Sequence, residues 1–278
     1  MLVFFVGLFI LDASLLSYSK NFGDGVLKVA FLDIGQGDSI FIESPTGVQV
    51  LVDAGDGQYI MRQLPKFMSL SDRNIDAVVG THPDKDHIGG IPKVLSHYNI
   101  SWYLETDLYR ETGIQDEIYK ILKTKNIPMK NPIRGDILDI GGGAYVQVLF
   151  PDRSTDDFES NTASIGLRLV YGQTSFLLTG DMPQAVEKYL SYLDGDFLES
   201  EVLKAGHHGS KTSSAPLFID NVSPKYVVVS AGLNNRYGHP NKEVIDILSS
   251  EGAEILKTYE NKNIVFLSDG KNLEISYK

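Results

Sequence analysis

The chain has 278 residues, 42% hydrophobic and 22% charged, and no cysteine. That length holds one large domain or two small ones, with enough chain to bury a core. The missing cysteines exclude disulfides, thiolate metal sites and cysteine nucleophiles. Any metal must then be held by His, Asp, Glu or Asn, a donor set that suits zinc, manganese or iron. The formal net charge of −11 counts against broad, sequence-independent duplex binding, for which a basic surface is expected. It leaves open chemistry on a phosphodiester, because bound cations dominate the local potential of a site.

In chain order, "MLVFFVGLFIL" opens an apolar run that Asp12 interrupts. The run is nearer the length of a signal-peptide core than of a full membrane span. Residues 1–22 are therefore expected to be a membrane anchor, a signal-like segment or a remnant helix, and 23–278 one catalytic domain. From Val26, "VLKVAFLDIG", "DSIFIES" and "VQVLVDAG" read as strands separated by turn residues. "QYIMRQLPKFMSL" reads as a poor helix broken at Pro65, and "IDAVVGTH" as a short buried strand. Helical spacing follows at Ile91–Tyr98 and Ile114–Asn126. Strands are expected near Tyr145–Phe150, Ile165–Tyr171 and Ser175–Thr179, then a helix over Gln184–Tyr192. A strand at Glu201–Ala205 leads into "GHHGS", and "YVVVSAG" into "LNNRYGHP"; a helix at Lys242–Ser250 and two strands close the chain. Strands followed by helices, twice over, imply an α/β (α+β) chain of two packed sheets with helices outside.

Polar residues gather where the predicted strands end. His82, Asp84, Asp86 and His87 follow one strand, Asp181 ends "SFLLTGD", His207 and His208 follow "EVLKAG", and His239 lies beyond "YVVVSAG". Functional groups on loops at one edge of a rigid scaffold are the usual setting of a site. Only His97 falls on an ordinary helix, where it reads as structural. In "THPDKDHIGG", alternation places His82, Asp84 and Asp86 on one side of an extended loop, and His87 turns in as the next helix begins. One cation cannot use all of these groups, but two can: His82 with Asp84, and Asp86 with His87, Asp181 bridging. His207 and His208 are adjacent and in an extended segment point opposite ways, so one of the pair at most is expected to be a ligand.

The motif H-x-D-x-D-H-x-G-G resembles the metallo-β-lactamase superfamily signature H-x-H-x-D-H, with Asp84 in place of the second histidine. Together with "FLDIGQGDS", "LVDAG", "LLTGD", "LKAGHHGS" and "NNRYGHP", it is similar to the hydrolase domain of ComEC-type competence proteins, from about Leu27 to the C-terminus. The resemblance implies a four-layer αββα sandwich, the metallo-β-lactamase fold, with a dinuclear zinc or manganese site at the top of the sheets. It implies metal ligands His82, Asp84, Asp86, His87, Asp181 and His207, with Asp53 in support and His208 structural or behind the ligands. Asn161, in "ESNTASIGL", stands where a histidine usually completes the first metal position, which implies a looser first site.

Other residues are candidates beside that set. His239 is expected to donate a proton to a leaving group or touch a substrate phosphate, and Asp86 to belong to the catalytic centre. Lys204, Lys211, Arg236 and Tyr237 flank these loops; Lys204, Arg236 and Tyr237 are expected to contact substrate, Arg236 through phosphate. "DIGQGDS" lacks G-x-G-x-x-G and reads as a hairpin turn, with Gln36 and Asp38 candidates to face the site. The expected function is metal-assisted hydrolysis of a DNA phosphodiester by a membrane-associated or exported protein. The alternatives are a hydrolase of a small ester, lactone or phosphodiester, and a binding module with a decayed metal site.

Overall fold

The computed structural model describes residues 25–69 and 71–278; the apolar segment expected over residues 1–22 lies outside the described residues. In chain order, β1 (Leu27–Phe31), β2 (Ile40–Glu43), β3 (Gln49–Val52), β4 (Asn74–Gly80), β5 (Asn99–Glu105) and β6 (Met129–Lys130) enter a first sheet. A second sheet takes β7 (Ile137–Gly141), β8 (Ala144–Phe150), β9 (Gly166–Tyr171), β10 (Thr174–Leu178), β11 (Val202–Lys204), β12 (Tyr226–Val229) and β13 (Glu254–Lys257). The chain then returns to the first sheet with β14 (Ile264–Ser268) and β15 (Leu273–Tyr277). The strand orders are β15-β14-β1-β2-β3-β4-β5-β6 and β13-β12-β11-β10-β9-β8-β7. Strands β3 to β6 pair in parallel, as do β10 to β13. Their C-terminal ends therefore share an edge within each sheet, which is where open α/β sheets place their ligands.

Alternation decides what each strand covers. Val29 and Phe31 on β1, Ile40 and Ile42 on β2, and Val50 and Val52 on β3 pack inward against Leu167, Leu169, Phe176 and Leu178 of the second sheet. Phe266 stacks edge-on against Phe31 and Phe176, with ring centroids 5.9 and 5.7 Å away. The opposite face of the first sheet, with Phe41, Leu51 and Val78, is covered by α1 (Ile60–Gln63), α2 (Lys85–Ile88), α3 (Ile91–His97) and α4 (Ile114–Lys125). The outer face of the second sheet is covered by α5 (Gln184–Asp194), α6 (Pro216–Val222) and α7 (Lys242–Ser250), through Leu190, Ile219 and Leu248 among others. A further short helix, α8 (Thr258–Asn261), precedes β14. Three apolar layers between four structural layers make the expected αββα sandwich. Each large apolar side chain buried in them contributes about 1.5–3 kcal/mol relative to exposure.

Several elements escape the sequence pattern. No Gly or Pro separates β5 from α3, β6 has only two residues, and β7 and β13 are not among the expected strands either. Pro65 acts as expected: α1 ends before it, and Leu64–Lys66 forms a single 3-10 turn. Among the described residues, no helix is long and apolar enough to cross a membrane.

Glu187 ties α5 to the loop that leads into α6, accepting hydrogen bonds from the Ser214 and Ala215 amides at 2.9 and 2.7 Å. Burial pushes its pKa up to about 7. A folded-state pKa above the ordinary carboxylate value means that the folded chain retains a proton that the unfolded chain releases, so stability falls as pH rises between about 4.5 and 7. The whole window corresponds to about 3 kcal/mol. Thermal melts at pH 5 and pH 8 should show that decline in the wild-type chain, and Glu187→Gln should flatten it.

Candidate metal centre

The strand ends bring the polar residues of both sheets together. Asp53 follows β3, residues 81–87 follow β4, Asp181 follows β10, His207 and His208 follow β11, and the 230–239 loop follows β12. Asp53 has a left-handed backbone (φ 58°), which turns its carboxylate back under the neighbouring loop. Its Oδ1 accepts the Thr81 amide at 2.8 Å; its Oδ2 accepts the Thr81 hydroxyl at 2.7 Å and His87 Nδ1 at 2.8 Å. Because the Thr81 hydroxyl gives its proton to Asp53, its oxygen is the acceptor for His82 Nδ1 at 3.0 Å. His208 Nδ1 donates to the Ser230 carbonyl at 2.9 Å. In its neutral form each of the three rings would thus keep its hydrogen on Nδ1 and turn Nε2 to the cluster as the ligand atom.

Those Nε2 atoms converge on carboxylates. His87 Nε2 lies 3.2 Å from Asp181 Oδ1, and His208 Nε2 lies 3.4 Å from both Asp181 Oδ2 and Asp86 Oδ2. His82 Nε2 is 3.7 Å from Asp84 Oδ2, and the His82 and His87 rings sit 4.1 Å apart. The Asp84 Oδ1 atom accepts the Ser160 hydroxyl at 2.5 Å. Asp38, His87, Asp181 and His208 are all buried, and each brings a ligand-type atom within 4.8 Å of the others. Buried polar atoms without a hydrogen-bond partner are rare and ask for an explanation. Here His82 Nε2, His87 Nε2, His208 Nε2 and Asp181 Oδ1 are all of that kind. A mixed imidazole and carboxylate set of this composition fits a divalent cation.

Electrostatics reflect the crowding. Burial opposes charge on Asp181, but His208, His87 and Lys204 hold its carboxyl well below the usual range. Burial likewise disfavours a charged His87, yet Asp181 and Asp53 raise its pKa well above the ordinary value. His82 goes the other way: burial and the adjacent His87 push it down to about 4.

Three placements differ from the sequence expectation. His208, rather than His207, turns its Nε2 between Asp86 and Asp181; His207 Nε2 stands 3.7 Å from Asp181 on a more exposed side. The alternation argument fails because both residues are left-handed (φ 47° and 56°), which replaces the extended segment by a tight turn. Lys204, expected at the substrate, is fully buried, with Nζ 2.5 Å from Asp38 Oδ2 and 2.9 Å from the Gly180 carbonyl. Asp86 lies within α2, together with His87, rather than in the extended loop expected for it, because a helical turn begins at Lys85.

The remaining candidates form the rim. Asn161 Nδ2 lies 3.4 Å from His207 Nδ1, and the His239 ring faces His207 at 5.4 Å and stacks on Tyr237 at 5.8 Å. Arg236 and Tyr237 are exposed, with the guanidinium 4.7 Å above the ring; Lys211 is exposed as well. His97, on α3, bonds the Lys93 carbonyl at 2.8 Å. Three organising residues are not signalled by the sequence. Ser160 holds Asp84. Asn235 pins its loop by donating to the Gly232 and His239 carbonyls and accepting the Tyr237 and His239 amides. Gly37 (φ 116°) lets the β1–β2 loop lie on Asp86, whose carbonyl would be 2.0 Å from any Cβ there. The second glycine of "DIGQGDS" therefore serves a close backbone approach, with the Asp38 amide donating to Asp86 O at 3.1 Å.

The sandwich with clustered ligands at the strand ends defines a metal-dependent hydrolase class. The chain belongs to the metallo-β-lactamase superfamily, whose model matches residues 32–232. It is 29% identical over 258 residues to "ComE operon protein 3" of Bacillus subtilis, covering 86% of this chain and 33% of that protein. It is also 28% identical over 243 residues to "Competence protein ComA" of Neisseria gonorrhoeae, covering 83% of this chain and 30% of that one. The chain thus spans about a third of the length of the curated relatives it matches, in keeping with a ComEC-like hydrolase domain. Among solved structures, the metallo-β-lactamase fold protein YhfI of Bacillus subtilis aligns with a TM-score of 0.59 at 13% identity, over 87% of this chain and 100% of that one. The metallo-hydrolase Igni18 of Ignicoccus hospitalis aligns with a TM-score of 0.55 at 16% identity, over 87% and 98%. These two share the fold.

Asp53→Asn keeps a residue that tolerates the left-handed backbone but removes one acceptor. The His87 ring would then move its hydrogen to Nε2, the atom that faces the cluster. Calorimetric titration with Mn(II) should show affinity falling by about 10- to 100-fold, the range found when a residue that orients a metal ligand is removed.

Proposed function

We propose that the chain is a two-metal phosphodiesterase acting on a nucleic-acid backbone, with DNA as substrate in the manner of ComEC-like competence proteins. The observation that carries this reading is the convergence of His87 and His208 on the carboxylate of Asp181, with Asp86 against His208 and the His82–Asp84 pair beside the His87 ring. In this reading His82 and Asp84, with Asn161 nearby, would hold one zinc or manganese ion, and Asp86, His87 and His208 would hold the other. Asp181 serves both. When bound, the two ions supply a hydrolytic nucleophile at neutral pH and offset the negative charge that develops at phosphorus.

The chain's own groups do the rest. Asp53, directly to His87 and through Thr81 to His82, holds the Nδ1 side of each ring and so aims their Nε2 atoms at the cluster. Ser160 leaves Asp84 one free oxygen, Oδ2, which is the one nearer His82. Partly exposed His239 donates a proton to the departing oxygen. Arg236 grips a phosphate of the substrate and Tyr237 offers a face for a base. The likeness to competence proteins supports DNA over a small ester, as does the pairing of an exposed cation with an aromatic ring beside the cluster. The apolar residues 1–11 support a place at a membrane or outside the cytoplasm.

Labelled DNA and a panel of chromogenic phosphodiesters, assayed with Mg, Mn and Zn, test the substrate. DNA cleavage with Mn or Zn is expected. Turnover of small esters alone would replace the proposed substrate. Asp84→Ala and Asp181→Ala should each lower turnover by about a thousandfold or more while the circular dichroism spectrum stays that of the wild type. Wild-type rates in either variant after stringent metal removal would end the two-metal reading. Arg236→Ala with Tyr237→Ala should raise KM for DNA about tenfold with kcat little changed, the signature of lost uniform binding.

A further inference from the structure

Lys204 is the least expected group in the cluster. It ends β11 in the second sheet, is fully buried, and a lysine is almost never buried without partners. Its ammonium donates to the Gly180 carbonyl at 2.9 Å and pairs with two carboxylates, Asp38 Oδ2 at 2.5 Å and, more loosely, Asp181 Oδ1 at 3.5 Å. Asp38 belongs to the β1–β2 loop of the first sheet, while Gly180 and Asp181 follow β10 of the second. The Asp38–Lys204 contact therefore crosses the sandwich beside the ligands, of which His82, Asp84, Asp86 and His87 follow a strand of the first sheet and Asp181 and His208 follow strands of the second.

We propose that Lys204 is a built-in cation of the site, a positioning residue that clasps the two sheets through Asp38 and fixes the orientation of Asp181 before any divalent ion arrives. Asp38 is then the counter-ion of Lys204 and not a metal ligand, although it lies within ligand distance of His87, Asp181 and His208. The charge count agrees, and this part of the inference rests on the two-metal reading. Asp38, Asp53, Asp84, Asp86 and Asp181 carry five negative charges when ionised, Lys204 one positive charge. The four left over are what two divalent ions neutralise. Asp181 is held from two directions: Oδ1 toward Lys204 and His87, Oδ2 toward His207 and His208. Without the ammonium, Oδ1 keeps only the His87 contact.

Three chains separate this role from general support of the fold: wild type, Lys204→Met, and Asp38→Asn combined with Lys204→Met. Melting after EDTA treatment reports on the clasp. Titration with Mn(II), followed by loss of the free-ion electron paramagnetic resonance signal, reports on the site. Lys204→Met leaves buried Asp38 only the longer His208 and His87 contacts, at 3.4 and 3.8 Å, and should melt about 10 °C below the wild type without metal. The double variant removes one charge of each sign, so it should recover more than half of that loss and leave the attraction for cations unchanged. Its Mn(II) affinity should nevertheless fall by about tenfold or more, because nothing holds Asp181 Oδ1 from that side. A metal-free Lys204→Met chain as stable as the wild type would overturn the clasp. A double variant that binds Mn(II) as tightly as the wild type would overturn the positioning role. Neither readout uses DNA cleavage, so failure to hydrolyse DNA would refute the proposed substrate and leave the clasp to be judged by these two measurements.

Discussion

A single buried carboxylate, that of Asp53, sets the geometry on which the site depends. It accepts two hydrogen bonds from Thr81 and one from His87, and through the Thr81 hydroxyl it also dictates the hydrogen position on His82. Imidazole can ligate a metal only through a nitrogen without hydrogen, and which nitrogen that is follows from the partner of the other. One acidic residue that itself points away from the cluster thereby selects the tautomers of two histidines that point into it. The left-handed backbone at Asp53 costs some strain, which the three hydrogen bonds offset.

The second constraint is charge. Carboxylates packed this closely in a buried place repel one another, and each loses hydration as the sheets close over it. The folded chain answers with hydrogen bonds and with Lys204, whose position beside the cluster binds Asp38 of one sheet to the loop after β10 of the other. The same crowding that disfavours the metal-free site is what a divalent cation relieves, so the acidic cluster and the implied metal are two sides of one energetic fact. At the rim the logic changes: Arg236, Tyr237 and Lys211 are exposed, and their pairings there are worth little to stability.

Much of the scaffold is legible from local pattern. The β-branched runs of β1 to β4, the helical spacing of α4 and α7 and the break at Pro65 each reflect interactions within a few residues, and the structure places them within about four residues of the expected bounds or better. Among the strands that escape notice, β5 has no turn residue between it and α3 and β6 has only two residues. The cluster is legible in outline for a similar reason. His and Asp at strand ends are a local signal, and the parallel topology then gathers the ends on one edge.

Which atom faces which is a different kind of information. Residue type and spacing determine that His82, Asp84, Asp86, His87 and Asp181 are available at strand ends, and that a cysteine-free chain must use such groups for any metal. Only the packed sandwich decides that His208 rather than His207 turns inward, since two consecutive left-handed residues undo the alternation that an extended chain would have. Only the packed sandwich makes Lys204 an internal counter-ion, since Asp38 meets it across 166 positions of chain. Side-chain direction and ion pairing depend on contacts between segments far apart in sequence, and those contacts exist only once both sheets are in register.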